Sequence, residues 1–121
     1  MSSSNQAKNG LKIVHINAQS LCNKIDEFRY IFASSGVDIV CVSETWFSID
    51  IIDSVYSLPG FKLYRSERRI IINGIESKAR GGGVAIFVRC GLNCALKMQS
   101  KASSEVEYLF IKIIPKNKRR I

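Results

Sequence analysis

Apolar positions along the chain fall into short blocks separated by polar turns, and the spacing inside each block assigns an element. Leu11-Lys12-Ile13-Val14-His15-Ile16 is short and mainly β-branched, which predicts a strand over 11–16. It ends at the polar turn Asn17-Ala18-Gln19-Ser20. Leu21, Ile25, Phe28, Ile31 and Phe32 then recur at helical spacing and predict a helix over 23–35. Ser20 or Asn23 is placed to cap its start. Asp26 and Glu27 lie in its first turns, where the helix dipole favours negative charge, and Gly36 can end it in a left-handed conformation. Val37-Asp38-Ile39-Val40-Cys41-Val42 is apolar with almost no alternation, the pattern of a strand covered on both faces. Strand, helix and strand together predict a βαβ unit with parallel strands and a right-handed crossover.

The remainder reads as strands and loops. Residues 45–59 form a loop with a helical turn in it, closed by the turn signal Pro59-Gly60. Phe61-Lys62-Leu63-Tyr64-Arg65 alternates and predicts a strand. Residues 66–80 are polar and basic, with Asn73-Gly74 suited to a tight turn and Ile70-Ile71-Ile72 to a short strand or a partner contact. Gly81-Gly82-Gly83 leads into a strand over 84–88. Residues 90–104 read as loop, and the alternation over 106–114 predicts the last strand. The chain is thus one α/β unit over 11–114, between a Ser/Asn-rich tail (1–10) and a basic tail (115–121).

Composition narrows the classes. A hydrophobic share of 46% and a charged share of 23% are those of an ordinary globular domain. No apolar run approaches the roughly 20 residues that span a bilayer, and the first ten residues carry no apolar signal core, so an intracellular protein with no membrane partner is expected. The net charge of +8 is uneven: residues 1–60 hold 4 Lys/Arg against 6 Asp/Glu, a net −2, and residues 61–121 hold 14 against 4, a net +10. A basic second half suits a polyanion such as nucleic acid. Cys22, Cys41, Cys90 and Cys94 form no CxxC pair, and His15 is the only histidine, so neither a zinc site nor Cys–His chemistry is indicated. The glycine run lacks the spacing and the following Lys-Ser/Thr of a phosphate loop.

Two residues stand where chemistry is expected. Asn17 follows the first strand and Glu44 follows the second, and open α/β sheets bind ligands just beyond the carboxyl ends of such strands. A carboxylate and a carboxamide side by side can bind a hard cation through oxygen and orient a phosphate. Taken singly, Glu44 also reads as a solvated loop acid or a helix cap, and Asn17 as a turn residue.

The stretch Ile13-Val-His-Ile-Asn-Ala-Gln-Ser-Leu-Cys-Asn-Lys-Ile-Asp-Glu-Phe28, followed by Val37-Asp-Ile-Val-Cys-Val-Ser-Glu-Thr-Trp46, closely resembles the opening of the endonucleases of non-LTR retrotransposons, members of the endonuclease/exonuclease/phosphatase family. The likeness continues through Leu58-Pro-Gly-Phe61, Tyr64-Arg-Ser-Glu-Arg68, Gly81-Gly-Gly-Val-Ala-Ile-Phe-Val-Arg89 and Glu107-Tyr-Leu-Phe-Ile-Lys-Ile113. The resemblance implies the N-terminal half of a four-layer α/β/β/α sandwich, two mixed β-sheets flanked by helices, that hydrolyses DNA phosphodiesters with Mg²⁺ or Mn²⁺. It implies that Glu44 is the metal-binding glutamate, that Asn17 helps bind the scissile phosphate and, by a looser mapping, that Tyr64 or the adjacent arginines Arg65 and Arg68 lie near DNA phosphates. The chain departs from the family pattern at Gln19, where the DNA-repair branch has an acid, and at Glu67, where an aspartate is usual. The later Gly-Asp-Phe-Asn and Ser-Asp-His motifs are absent from the sequence. A truncated copy, inactive alone, is therefore expected; the alternatives are a non-catalytic nucleic-acid-binding module and a functionless relic.

Overall fold

The β-branched run and the apolar run become adjacent parallel strands in the computed structural model, which describes residues 10–67, 69–72, 75–78, 81–101, 104 and 106–115. Strand β1 (Ile13–Asn17) pairs with β2 (Ile39–Ser43), Ile13 opposite Ile39 and Asn17 opposite Ser43. Both strands lie one or two residues later than the pattern suggests, so Asn17 is the last residue of β1 rather than the first of the turn. A 3₁₀ turn, Leu21–Lys24, and helix α1 (Ile25–Phe32) make the crossover. The α-helix is shorter than the expected 23–35. Its far end runs into Ala33-Ser34-Ser35-Gly36, where Gly36 turns left-handed at φ 79°. Neither expected cap operates: Ser20 itself sits at φ 80° with no side-chain capping bond, and Asn23 lies inside the 3₁₀ turn. Lys24 Nζ instead donates to the carbonyls of Ala18 (2.9 Å) and Gln19 (2.6 Å).

After the short helix α2 (Asp53–Tyr56) come β3 (Phe61–Ser66), β4 (Arg69–Ile72), β5 (Ile75–Lys78) and β6 (Val84–Arg89). Strand β6 inserts between β2 and β3, antiparallel to both, giving a four-stranded mixed sheet of order β1-β2-β6-β3. Strands β4 and β5 pair as a separate hairpin with Ile72 opposite Ile75; the turn expected at Asn73-Gly74 lies outside the described residues. The segment expected as loop over 90–104 contains strand β7 (Asn93–Gln99), paired antiparallel with β8 (Leu109–Ile114). A bulge between Leu96 and Met98 explains the misreading, because one extra residue breaks the period of two on which the pattern depends.

Strand parity sorts the side chains. Val40, Val42, Ala85 and Phe87 face α1 and are at most 2% exposed, packed under Leu21, Phe28 and Phe32. The Phe28 and Phe87 rings meet at 5.0 Å in a tilted pair. Phe47 and Tyr56 stack at 3.7 Å and extend this core under the β2–β3 loop. The opposite face carries Ile39, Cys41, Ile86 and Val88, and the β7–β8 hairpin lies over it, leaving an apolar cavity of about 430 Å³ between them. Tyr64 to Cys94 (3.3 Å) and Ser66 to Ser100 (2.5 Å) tie the hairpin to β3. Asp38, buried beneath the sheet's other end, accepts from the Lys12 amide at 2.9 Å and pairs with Arg89 at 3.5 Å. Burial pushes the pKa of the half-buried Cys41 thiol up, which favours its protonated form.

Candidate functional site

The loops leaving β1 and β2 continue side by side beyond the strands. Ala18 N donates to Ser43 O, Ser20 N to Glu44 O and Leu21 N to Thr45 O, each at 2.9 Å. These bonds carry the parallel pairing around the corner and fix where the two key residues stand. Asn17 ends β1 with its side chain exposed, and Glu44 is the first residue past β2, half-buried. Both lie at the carboxyl end of the parallel pair, where ligands collect in open sheets.

The Glu44 carboxylate is held from two sides. Its Oε1 accepts from Trp46 Nε1 at 2.8 Å and faces the Gly82 amide at 3.4 Å. The next amide, Gly83 N, donates to Glu107 Oε1 at 3.1 Å. Two consecutive glycine N–H groups thus face two carboxylates, which puts the bonded oxygens within about 10 Å of each other. The glycines reach this position because Thr45 N bonds Gly83 O (3.3 Å) and Trp46 N bonds Gly82 O (2.9 Å), prolonging the β2–β6 ladder.

Backbone strain collects in the same two loops. Among the described residues, the non-glycine positions with positive φ are Gln19 (44°), Ser20 (80°), Glu44 (57°) and Trp46 (57°). Each costs on the order of 1–3 kcal/mol and persists only where its surroundings dictate it, a condition met most often at ligand sites.

The remaining expected residues divide. The Tyr64 phenol is bonded to Cys94; that bond and burial raise its pKa, so it stays protonated. Arg65 is turned inward. Its Nε pairs with Glu67 at 2.9 Å and Asp53 at 3.2 Å, its Nη2 donates to Ile51 O, and its guanidinium lies 5.1 Å from the Tyr56 ring. With its side chain 14% exposed and that of Glu67 9%, this arginine serves as an interior tie rather than a surface contact for phosphate. Arg68 lies outside the described residues. His15 bonds Ser43 Oγ at 3.1 Å on the exposed face of β1, next to Asn17 in the alternation.

The Arg65 arrangement sets an expected result. Arg65→Ala removes the guanidinium that pairs with Glu67 and Asp53 and stacks against Tyr56, and breaking a buried ion pair costs about 3 kcal/mol. Urea unfolding should show that loss. A change below about 1 kcal/mol together with weakened DNA binding would return Arg65 to the substrate side.

Glu44 fits the part of an oxygen ligand for a hard cation. It is partly accessible and oriented by N–H donors, as ligating carboxylates generally are. Among the described residues no group of three or more His, Cys, Asp or Glu stands together as a metal cage. Sequence reasoning singled out Asn17 and Glu44, which stand at the same end of the sheet, but did not join Trp46 and Glu107 to that corner. Glu107 was read only as the start of a matching segment, and nothing along the chain indicated that it would meet Gly83. No protein-family model matches the chain, and no curated protein matches it.

Proposed function

We propose that the chain carries one part of a cation-assisted phosphodiesterase site directed at DNA, of the endonuclease/exonuclease/phosphatase type found in retrotransposon proteins, on the first half of a four-layer α/β/β/α sandwich. One observation carries the reading: Asn17 and an oriented Glu44 carboxylate share the carboxyl end of two parallel strands whose loops are strained and bonded together. In this reading Glu44 holds a Mg²⁺ or Mn²⁺ ion, which when bound neutralises phosphate charge and stabilises the leaving oxygen. The Asn17 amide donates to a non-bridging phosphate oxygen and sets the orientation of the group. The described residues contain no helix long and apolar enough to cross a membrane.

A second reading, a nucleic-acid-binding module without catalysis, is favoured by the net +10 of residues 61–121. Both readings share an expected result. Fluorescence anisotropy with a labelled duplex should show binding of little sequence preference that weakens steeply with salt. A footprint of about four phosphates loses roughly 100-fold in affinity between about 50 and 200 mM salt through counterion uptake. Affinity that does not change with salt, or no affinity, would remove nucleic acid as the partner.

A further inference from the structure

We infer that Trp46 is a positioning residue for this site, its indole N–H setting the direction of the Glu44 carboxylate; the inference rests on the reading of Glu44 given above. Packing does not account for the conformation of this tryptophan. It is 41% exposed, yet it occupies a left-handed backbone region that bulky side chains avoid. What the conformation achieves is contact across two residues. In an extended strand the Cα atoms of residues i and i+2 stand roughly 6–7 Å apart and their polar tips need not meet. Here positive φ at both Glu44 and Trp46 curls the segment, and Nε1 reaches Oε1 at 2.8 Å.

The backbone beneath the pair lies close against it. A Cβ on Gly81 would stand 3.4 Å from Trp46 Nε1 and 3.9 Å from Glu44 Oε1, ordinary van der Waals contact, so it is the positive φ of 79° rather than lack of space that favours glycine there. The Trp46 amide is bonded to Gly82 O at 2.9 Å, which anchors the ring's base while its N–H is aimed at the acid. A bond from N–H to a carboxylate is charge-assisted and directional. Fixing Oε1 fixes the plane of the carboxylate and hence the direction in which Oε2 is presented. Phenylalanine would supply the same kind of ring without the donor.

Trp46 is the sole tryptophan of the chain, so its emission reports directly on the Glu44 environment. In the full chain, Mn²⁺ should quench that emission, and Glu44→Gln should abolish the quenching. Electron paramagnetic resonance of free Mn²⁺ then compares affinities without needing the fluorophore. Trp46→Phe should bind Mn²⁺ about tenfold or more weakly, the range seen when an outer partner of a ligand is removed. Replacing Trp46 by β-(3-benzothienyl)alanine, which keeps the ring's shape and exchanges N–H for sulfur, should produce the same loss with an unchanged melting temperature. A merely structural tryptophan would tolerate that exchange with no loss of Mn²⁺ affinity. Mn²⁺ binding that depends on Glu44 but is equal in the wild type and both Trp46 replacements overturns this inference alone. Absence of Glu44-dependent Mn²⁺ binding in the wild type overturns the reading of Glu44 and this inference with it.

Discussion

Gly83→Ala should lower the unfolding free energy by about 4 kcal/mol, a large part of the roughly 5–15 kcal/mol that holds an ordinary domain folded. Two effects add. A Cβ at position 83 would lie 2.5 Å from Thr45 Oγ1, and Thr45 is fully buried, so its branched side chain has no room to retreat. Overpacking of that kind costs about 1–3 kcal/mol. Gly83 also sits at φ 91°, where an L side chain is strained by a further 1–3 kcal/mol or so. Thermal or urea unfolding measures the sum, and the double variant with Thr45→Ala separates the parts. Removing Oγ1 relieves the clash but not the dihedral strain, so about half of the loss should return. The consequence reaches the site, because Gly83 O holds the Thr45 amide and Gly83 N holds Glu107. A Gly83→Ala variant within about 1 kcal/mol of the wild type would mean that this corner repacks freely and that its strain is not enforced.

The pairing of β1 with β2 was legible because two independent signals agree. A β-branched run and an uninterrupted apolar run flank a helical period, and the length between them admits little besides a parallel crossover. Parallel pairing with the observed register puts Asn17 beside Ser43, so the placement of Asn17 and Glu44 at one end was already implied by the pattern. The insertion of β6 between β2 and β3 was not legible. It is settled by which strand fills the space beside β2, and Phe87 wins by packing on Phe28. Strand β7 was hidden by its bulge, and β8 supplied the partner that made it a strand.

The side-chain chemistry shows the same division. Arg65 in an alternating strand next to Tyr64 looks like a surface cation when read along the chain. Its inward rotation depends on Phe47, Tyr56 and Glu67 closing around it, which are contacts between elements whose relative placement no local pattern fixes. Trp46 was read as part of a motif. The bond from its indole to Glu44 arises from two positive φ values, and left-handed conformations at Glu and Trp are what propensity argues against. Local rules failed most clearly at the corner that carries the proposed chemistry, as expected where function strains the backbone.

The purified chain should not nick supercoiled plasmid with Mg²⁺ or Mn²⁺, and nicking should appear when a segment bearing the Gly-Asp-Phe-Asn and Ser-Asp-His motifs is supplied in cis. The expectation follows from the groups at hand. Glu44 is a single oriented carboxylate, and one carboxylate holds Mg²⁺ weakly without substrate phosphate to complete the coordination. Asn17 supplies one amide donor. On the proposed reading, no water-activating base is identified among the described residues: His15, the sole histidine of the sequence, is bonded to Ser43 Oγ at 3.1 Å within the strand. Loss of general-base catalysis alone removes about 10²–10⁴ in rate, and loss of further donors to the developing charge about 10²–10³ more. These losses do not simply multiply, since such groups act as a unit, but either one puts nicking below ordinary detection. In the extended protein, Glu44→Ala should abolish the activity and Asn17→Ala should reduce it by about 10²-fold or more. Nicking by the 121-residue chain that disappears in Glu44→Ala would show the site to be complete as it stands. If His15→Ala removed it as well, the base would be the strand histidine, and the site would lie on the exposed face shared by His15 and Asn17.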